Sequence, residues 1–124
     1  MLFDSNAYDA ILAAGDLPRL QDRIVAGELA VVTTPIQEDE IRQIRNPARQ
    51  RALLALYRAL GGTRIDPGAV IAADTTYMAR DEMLLRIAAA CCDWLVSDDK
   101  ALAAADPGRV IPYAAFSRRL ALRA

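Results

Sequence analysis

The side chains of this sequence that could do chemistry are mainly carboxylates, because its 124 residues include no histidine. The absence of histidine excludes Ser-His-Asp and Cys-His catalysis, and it excludes zinc sites built on imidazole. The two cysteines, Cys91 and Cys92, are adjacent and cannot supply a disulfide framework. Any reaction must therefore depend on acids, hydroxyls, arginine or a bound metal.

The opening sequence MLFDSN places one acid, Asp4, directly after the apolar pair Leu2 and Phe3. If this pair forms a strand, Asp4 lies at the carboxyl end of that strand, where α/β proteins form their sites. Asp4, Ser5 and Asn6 are also good helix N-caps, so a capping role stays open for this stretch.

Helical periodicity selects a second acid, Glu40. At about 100° per residue, Glu40 falls on the same stripe as Ile36 and Ile44. Glu38 points to the opposite side, and Asp39 lies at the edge of the stripe. The apolar pattern thus assigns the position of Glu40 to the core, and an ion pair with an arginine is the alternative interpretation.

Two later acids, Asp81 and Asp99, occupy similar positions. Asp81 precedes Leu84 and Leu85 by three and four residues, which places it at the start of a buried helix face. The favourable interaction of acids with a helix N-terminus is the alternative explanation for Asp81. Asp99 follows the apolar run at 94–96, as Asp4 follows the first strand.

These four acids are predicted at the inward edges of their elements, and no obvious cation stands in the motif of any of them. Two like charges 4 Å apart repel by about 4 kcal/mol at an effective dielectric of 20. A cluster of this kind needs a positive partner, and oxygen ligands alone predict Mg²⁺ or Mn²⁺. Such an ion, with open coordination positions, is suited to activating water against a phosphodiester.

The elements that must position these acids alternate between short apolar runs and longer helical segments. Strands are predicted at 2–3, 29–33, 94–96 and 109–112, with a further short strand at 69–71. Helices are predicted at 6–14, 17–26, from 35 onward, and at 48–60, 80–92, 99–105 and 114–123. Strands separated by helices indicate an α/β fold with a mainly parallel sheet, in a single domain of residues 1–124.

The overall composition is ordinary, with 54% hydrophobic residues, 25% charged residues and a net charge of −1. No apolar run approaches the roughly 20 residues of a membrane span, and no export signal is evident, so we expect a cytoplasmic protein without a membrane partner. Arg42, Arg45, Arg49 and Arg51 form a locally basic segment. It fits a phosphate-contacting edge or, alternatively, a solvated helix face.

Three segments together resemble the PIN-domain ribonucleases, especially the small stand-alone ones that act as VapC-type toxins. They are F-D-S-N at 3–6, T-T-P-I-Q-E-D-E-I at 33–41 and D-E-M-L-L-R-I-A-A-A-C-C-D-W-L-V-S-D-D at 81–99. The resemblance implies a three-layer α/β/α fold around a small, mainly parallel sheet. It also implies that the catalytic, metal-binding acids are Asp4, Glu40, Asp81 and Asp99, with Asn6, Ser97 and Asp98 as accessory residues.

The function implied by this resemblance is an endoribonuclease that depends on Mg²⁺ or Mn²⁺, with RNA as its substrate. The resemblance further implies a homodimer and an antitoxin protein as partner. The alternative is a PIN-like module that binds RNA or protein without cutting. A phospho-acceptor domain with Asp4 or Asp99 as nucleophile is a third interpretation, but such domains need a second acid near Asp4, where Asn6 stands.

Overall fold

Five two-residue strands and seven helices form the part of the chain that the structure, a computed structural model, describes: residues 1–67 and 80–120. The strands are β1 (Leu2–Phe3), β2 (Val32–Thr33), β3 (Thr63–Arg64), β4 (Leu95–Val96) and β5 (Val110–Ile111). The helices are α1 (Ser5–Ala14), α2 (Leu17–Val25), α3 (Pro35–Arg42), α4 (Pro47–Leu60), α5 (Arg80–Cys91), α6 (Lys100–Ala105) and α7 (Tyr113–Arg119). None of these described helices combines the length and apolar character needed to cross a membrane.

The strands form one parallel sheet in the order β3-β2-β1-β4-β5, which confirms the predicted α/β class. From β1 the chain adds β2 and β3 on one side, and it then returns to add β4 and β5 on the other. The strand order therefore reverses between β1 and β4. In open α/β sheets, ligands bind beside the carboxyl ends of the strands at such a switch point.

Helices cover both faces of the sheet, which confirms the three-layer α/β/α arrangement. Phe3 and Val96 pack toward α1, α4 and α7, whereas Leu2 and Leu95 pack against α5 and α6. Successive strand residues point to opposite faces, so even a two-residue strand contributes to both cores. This double burial fixes the ends of β1 and β4, from which the site is built.

Local capping signals place the beginnings of two helices where the sequence predicts them. The Thr34 side chain accepts from the Ile36 backbone N–H, and Gln37 completes the capping box at the start of α3. Asn46 Oδ1 accepts from the backbone N–H groups of Ala48 and Arg49, at 3.0 and 3.2 Å, and so caps α4. These signals involve neighbouring residues only, so they can be predicted without knowledge of the tertiary fold.

Strand β3 is not predicted by the sequence, because Thr63 and Arg64 are exposed and polar and carry no apolar signal. The strand predicted at 29–33 is shorter in the structure, where β2 contains Val32–Thr33 alone. The strand predicted at 69–71 lies outside the described residues, as does the end of the last predicted helix from 121 onward. The other predicted strands and helices are present, with shifts of a few residues at their ends.

Gly62 permits the close pairing of β3 with β2. Its φ is +111°, and a Cβ there would lie 2.5 Å from the Val31 carbonyl oxygen, the acceptor for the Thr63 N–H. We expect Gly62→Ala to lower the free energy of unfolding by about 3 kcal/mol, through backbone strain and overlap. Gly15→Ala is the matched control, because Gly15 has φ +67° but no atom within 4 Å of the position that a Cβ would take.

The control should lose only about 1 kcal/mol, from the left-handed backbone alone. Urea unfolding of both variants measures the difference directly. Equal losses at Gly62 and Gly15 would contradict the steric explanation for the glycine before β3.

Candidate functional site

Asp4 is buried at the carboxyl end of β1, at the switch point of the sheet. Its backbone N–H donates to the Val96 carbonyl of β4, so it belongs to the sheet ladder as well as to the start of α1. Its Oδ1 accepts from the Ser5 N–H at 2.8 Å, which confirms a capping contact. The second carboxylate oxygen is left for other partners, so the cap and a functional role are compatible.

Two residues predicted as accessory, Asn6 and Ser97, lie beside that second oxygen. Ser97 Oγ donates to Asp4 Oδ2 at 2.9 Å, and Asn6 Nδ2 lies 3.3 Å from the same oxygen. Asn6 Nδ2 also donates to Ser97 Oγ at 3.2 Å. Ser97 is buried at the end of β4, so the ends of the two strands are joined through polar side chains.

Glu40 faces the same place from α3. Gln37 is buried and donates from Nε2 to the Phe3 carbonyl at 3.0 Å, which ties the first turn of α3 to the end of β1. One turn later, Glu40 Oε1 accepts from Ser5 Oγ at 2.6 Å. The predicted inward orientation of Glu40 is therefore present, and the contact with Ser5 adds a role to a residue whose sequence position indicates only capping.

Glu38 contacts a different set of residues. Its carboxylate forms ion pairs with Arg42 at 2.7 Å and with Arg64 at 3.2 Å. The hydrogen bonds from these two arginines hold the pKa of Glu38 below its usual range. The helix phase that separates Glu38 from Glu40 in the sequence is thus reproduced in their contacts.

Arg80, the first residue of α5, is at the centre of the acidic cluster. Its NH2 lies 2.5 Å from Asp4 Oδ1, and its NH1 lies 2.8 Å from Asp81 Oδ1. Its Nε contacts Glu40 Oε2. Three of the four predicted acids, each from a different part of the chain, therefore surround one guanidinium.

This arrangement corrects the expectation that no cation stands in the motifs of these acids. Arg80 directly precedes Asp81, and its position at the start of α5 lets its long side chain reach the ends of β1 and α3. The ion-pair alternative raised for Glu40 is accordingly present in the structure. The adjacency of Arg80 to Asp81 is a sequence signal for the pair that these two residues form. No feature of the sequence indicates that Arg80 also contacts Asp4 and Glu40.

Asp81 and Asp99 are less enclosed than Asp4. The side chain of Asp81 is 47% exposed and contacts Arg80. Asp99 caps α6, because its Oδ1 accepts from the N–H groups of Ala101 and Leu102 at 2.8 and 3.3 Å. Its own N–H donates to Ser97 Oγ at 3.0 Å, so Asp99 is joined to Asp4 through the Ser97 hydroxyl.

The carboxylate of Asp98 contacts the start of α7. Its Oδ1 accepts from the Tyr113 N–H at 3.0 Å, and its own N–H donates to Asn6 Oδ1 at 3.2 Å. Within residues 1–67 and 80–120, neither Asp98 nor Asp99 forms an ion pair with Arg80. The structure thus brings Asp4, Glu40 and Asp81 into contact with Arg80, whereas Asp99 is connected to Asp4 through the Ser97 hydroxyl.

The donor set agrees chemically with a hard divalent cation, since charged oxygens are the ligands that Mg²⁺ and Mn²⁺ prefer. Glu40 Oε2 is buried and, among the described residues, forms no hydrogen bond, although it lies against Arg80. In the arrangement seen here, however, no group of three or more described acids or cysteines is placed to hold one ion. The ligand types fit, and the guanidinium of Arg80 lies among them.

The locally basic segment is partly neutralised by neighbouring acids. Arg42 pairs with Glu38, and Arg49 pairs with Asp9 at 2.6 Å. Arg45 and Arg51 are exposed. These contacts are those of a solvated helix surface, the alternative that the sequence leaves open, and surface pairs of this kind contribute little to stability.

Comparison of the chain with protein-family models, with curated proteins and with solved structures gave no match. The function must therefore be inferred from the chemistry of the residues at the switch point.

Proposed function

We propose that this protein is an endoribonuclease that requires Mg²⁺ or Mn²⁺ and hydrolyses phosphodiester bonds in RNA. The observation that carries the proposal is the convergence of Asp4, Glu40 and Asp81 on one positive charge at the switch point of the sheet. Carboxylates from three separate elements are costly to assemble without a cation. Their meeting at the edge where α/β proteins bind ligands supports a functional rather than a purely structural cluster.

In this proposal Asp4, Glu40 and Asp81 hold the divalent ion, with Asp99 nearby as the fourth acid. When bound, the ion would supply an activated water and neutralise charge on the phosphate. Ser97 and Asn6 hold the carboxylate of Asp4 in one orientation through Oδ2. Metal ligands held by such outer hydrogen bonds bind more tightly than free side chains do.

The finer parts of the proposal follow from the resemblance to VapC-type toxins. They are a role as the toxin of a toxin–antitoxin pair, an antitoxin protein as partner, a homodimeric state and a cytoplasmic location. Size-exclusion chromatography with light scattering tests the dimer, and a monomer at micromolar concentration would remove that part alone. The metal-dependent hydrolysis of a phosphodiester is argued from the acids, whereas RNA as the substrate also follows from the resemblance.

One observation favours the alternative, a PIN-like module that binds RNA or protein without cutting. Arg80 already pairs with Asp4, Glu40 and Asp81 from within the chain, so the cluster has a positive partner without a metal. A module of this kind would keep its ion pairs and bind no divalent cation. The two functions therefore differ in whether Mn²⁺ binds at the cluster.

Glu40→Gln should reduce Mn²⁺-dependent cleavage of single-stranded RNA more than about 100-fold, the upper end of losses from merely supporting residues. The glutamine still accepts from Ser5 Oγ, so the fold should be kept. Glu38→Gln is the matched control from the same helix. It should leave cleavage nearly unchanged because, among the described residues, the ion pairs of Glu38 are with Arg42 and Arg64 and not with Arg80.

Cleavage is measured on labelled RNA with Mn²⁺ and, in parallel, with excess EDTA. Equal losses from the Glu38 and Glu40 variants would mean that α3 does not present Glu40 to the substrate. RNA cleavage by the unaltered protein in EDTA would contradict the metal requirement.

A further inference from the structure

A cleft of about 500 Å³ lies between α3 and α5, beside the acidic cluster. Its volume is within the range of small-ligand sites, roughly 300–1,000 Å³. The side chains that line it are Ile36, Asp39, Glu40, Gln43, Arg80 and Met83. Glu40 and Arg80 belong to both the cluster and the cleft, so the two are continuous.

The lining comes from one face of each helix. Asp39 and Gln43 are four residues apart, at the end of α3, and are therefore neighbours on its surface. Arg80 and Met83 are three residues apart on α5 and are likewise neighbours on its surface. An RNA strand with a phosphate at the acids would thus place a neighbouring base between these two faces.

The cleft has the two kinds of surface that a nucleobase needs. Ile36 and Met83 are half-buried and provide apolar walls, and a thioether makes favourable contacts with aromatic rings. Asp39 and Gln43 are exposed at the polar edge of the cleft. In the described parts of the chain, neither side chain forms a hydrogen bond or an ion pair with another residue.

The polar edge selects among bases. An ionised carboxylate only accepts hydrogen bonds, so Asp39 requires donors from the base. Guanine presents two adjacent donors, N1–H and the N2 amine, which match the two oxygens of a carboxylate. Its neighbouring O6 is an acceptor that the Gln43 amide can meet. Adenine and cytosine place a ring acceptor beside their amine, and uracil offers one N–H between two carbonyls.

We propose that this cleft is the subsite for a guanine base of single-stranded RNA, with Asp39 reading N1–H and N2 and with Gln43 contacting O6. The inference takes its ligand class from the proposed nuclease function. It adds the base preference of the substrate, which the acids alone do not determine.

The test measures binding without cleavage. Four fluorescently labelled oligouridylates, each carrying G, A, C or U at one central position, are titrated with the protein in EDTA and followed by anisotropy. The G-containing RNA should bind roughly tenfold more tightly than the others, the discrimination expected from a bidentate contact. Asp39→Asn should remove most of this preference, whereas the control Glu38→Gln should retain it.

Equal binding of the four RNAs, no measurable binding, or a guanine preference that survives Asp39→Asn would each overturn the inference. A guanine preference in a protein that cuts no RNA with Mn²⁺ would support the subsite and remove the nuclease proposal. Mn²⁺-dependent cleavage with equal affinity for all four RNAs would support the nuclease proposal and remove the guanine subsite. The two proposals can therefore fail separately.

Discussion

Asp4→Asn is expected to abolish Mn²⁺-dependent cleavage of single-stranded RNA and to lower the free energy of unfolding by about 2 kcal/mol. The activity should fall because hard divalent ions prefer charged oxygen, and the amide removes that charge from the proposed ligand. The stability should fall because Asp4 is buried and the described partners of its two oxygens are all donors. Whichever way the new amide turns, its NH₂ group faces at least one of those donors.

Asp99→Asn is the matched variant that separates activity from stability. Asp99 Oδ1 caps α6, and asparagine caps about as well as aspartate, so this change should leave stability nearly unaltered. If Asp99 is the fourth metal-binding acid, cleavage should nevertheless fall steeply. Urea unfolding in EDTA and RNA cleavage with Mn²⁺ measure the two properties on the same preparations.

The outcomes distinguish the roles of the two acids. Full activity in Asp99→Asn would mean that Asp99 caps α6 and is not a metal-binding acid. Full activity in a folded Asp4→Asn variant would contradict the metal site as a whole. A stability loss in Asp4→Asn without loss of activity would leave Asp4 as a structural residue that joins β1 to β4 through Ser97.

The parts of this fold that could be predicted from the sequence are those specified by neighbouring residues. Thr34 and Gln37 start α3 through contacts three residues apart, and Asn46 starts α4 in the same way. The inward position of Glu40 follows from helical periodicity, which needs no knowledge of the partner. The end of β1 at Asp4 follows from the apolar pair before it.

The unpredicted parts depend on residues far apart in the chain. Arg80 meets Asp4 and Glu40 only because β1, α3 and α5 converge at the switch point, and periodicity within α5 says nothing about that meeting. Strand β3 pairs with β2 through backbone groups, so its exposed side chains carry no signal. One-dimensional patterns are enough to predict the inward positions of Asp4 and Glu40, whereas the contact of both with Arg80 requires the three-dimensional arrangement.

Arg80→Gln is expected to increase the affinity of the cluster for Mn²⁺ by about tenfold or more. The guanidinium and a divalent ion compete for Asp4, Glu40 and Asp81, and two unit charges 4 Å apart repel by about 4 kcal/mol at an effective dielectric of 20. Removing the arginine removes that repulsion and frees the carboxylates. In EDTA the same variant should be less stable by about 1 kcal/mol, because Arg80 is 36% exposed and its pairs are partly screened.

Mn²⁺ affinity is measured by calorimetric titration, and melting temperatures are compared with Mn²⁺ and with EDTA. Arg86→Gln is the matched control, since Arg86 lies on the exposed face of α5 and pairs with Glu82 at 3.0 Å. The control should leave Mn²⁺ affinity unchanged. Arg80→Gln should melt at a lower temperature than the unaltered protein in EDTA and at a higher temperature than the unaltered protein in Mn²⁺. If neither the unaltered protein nor Arg80→Gln binds Mn²⁺, the acids serve to hold Arg80 in place through ion pairs and do not form a metal site. The non-cutting binding module would then be the better account of this protein.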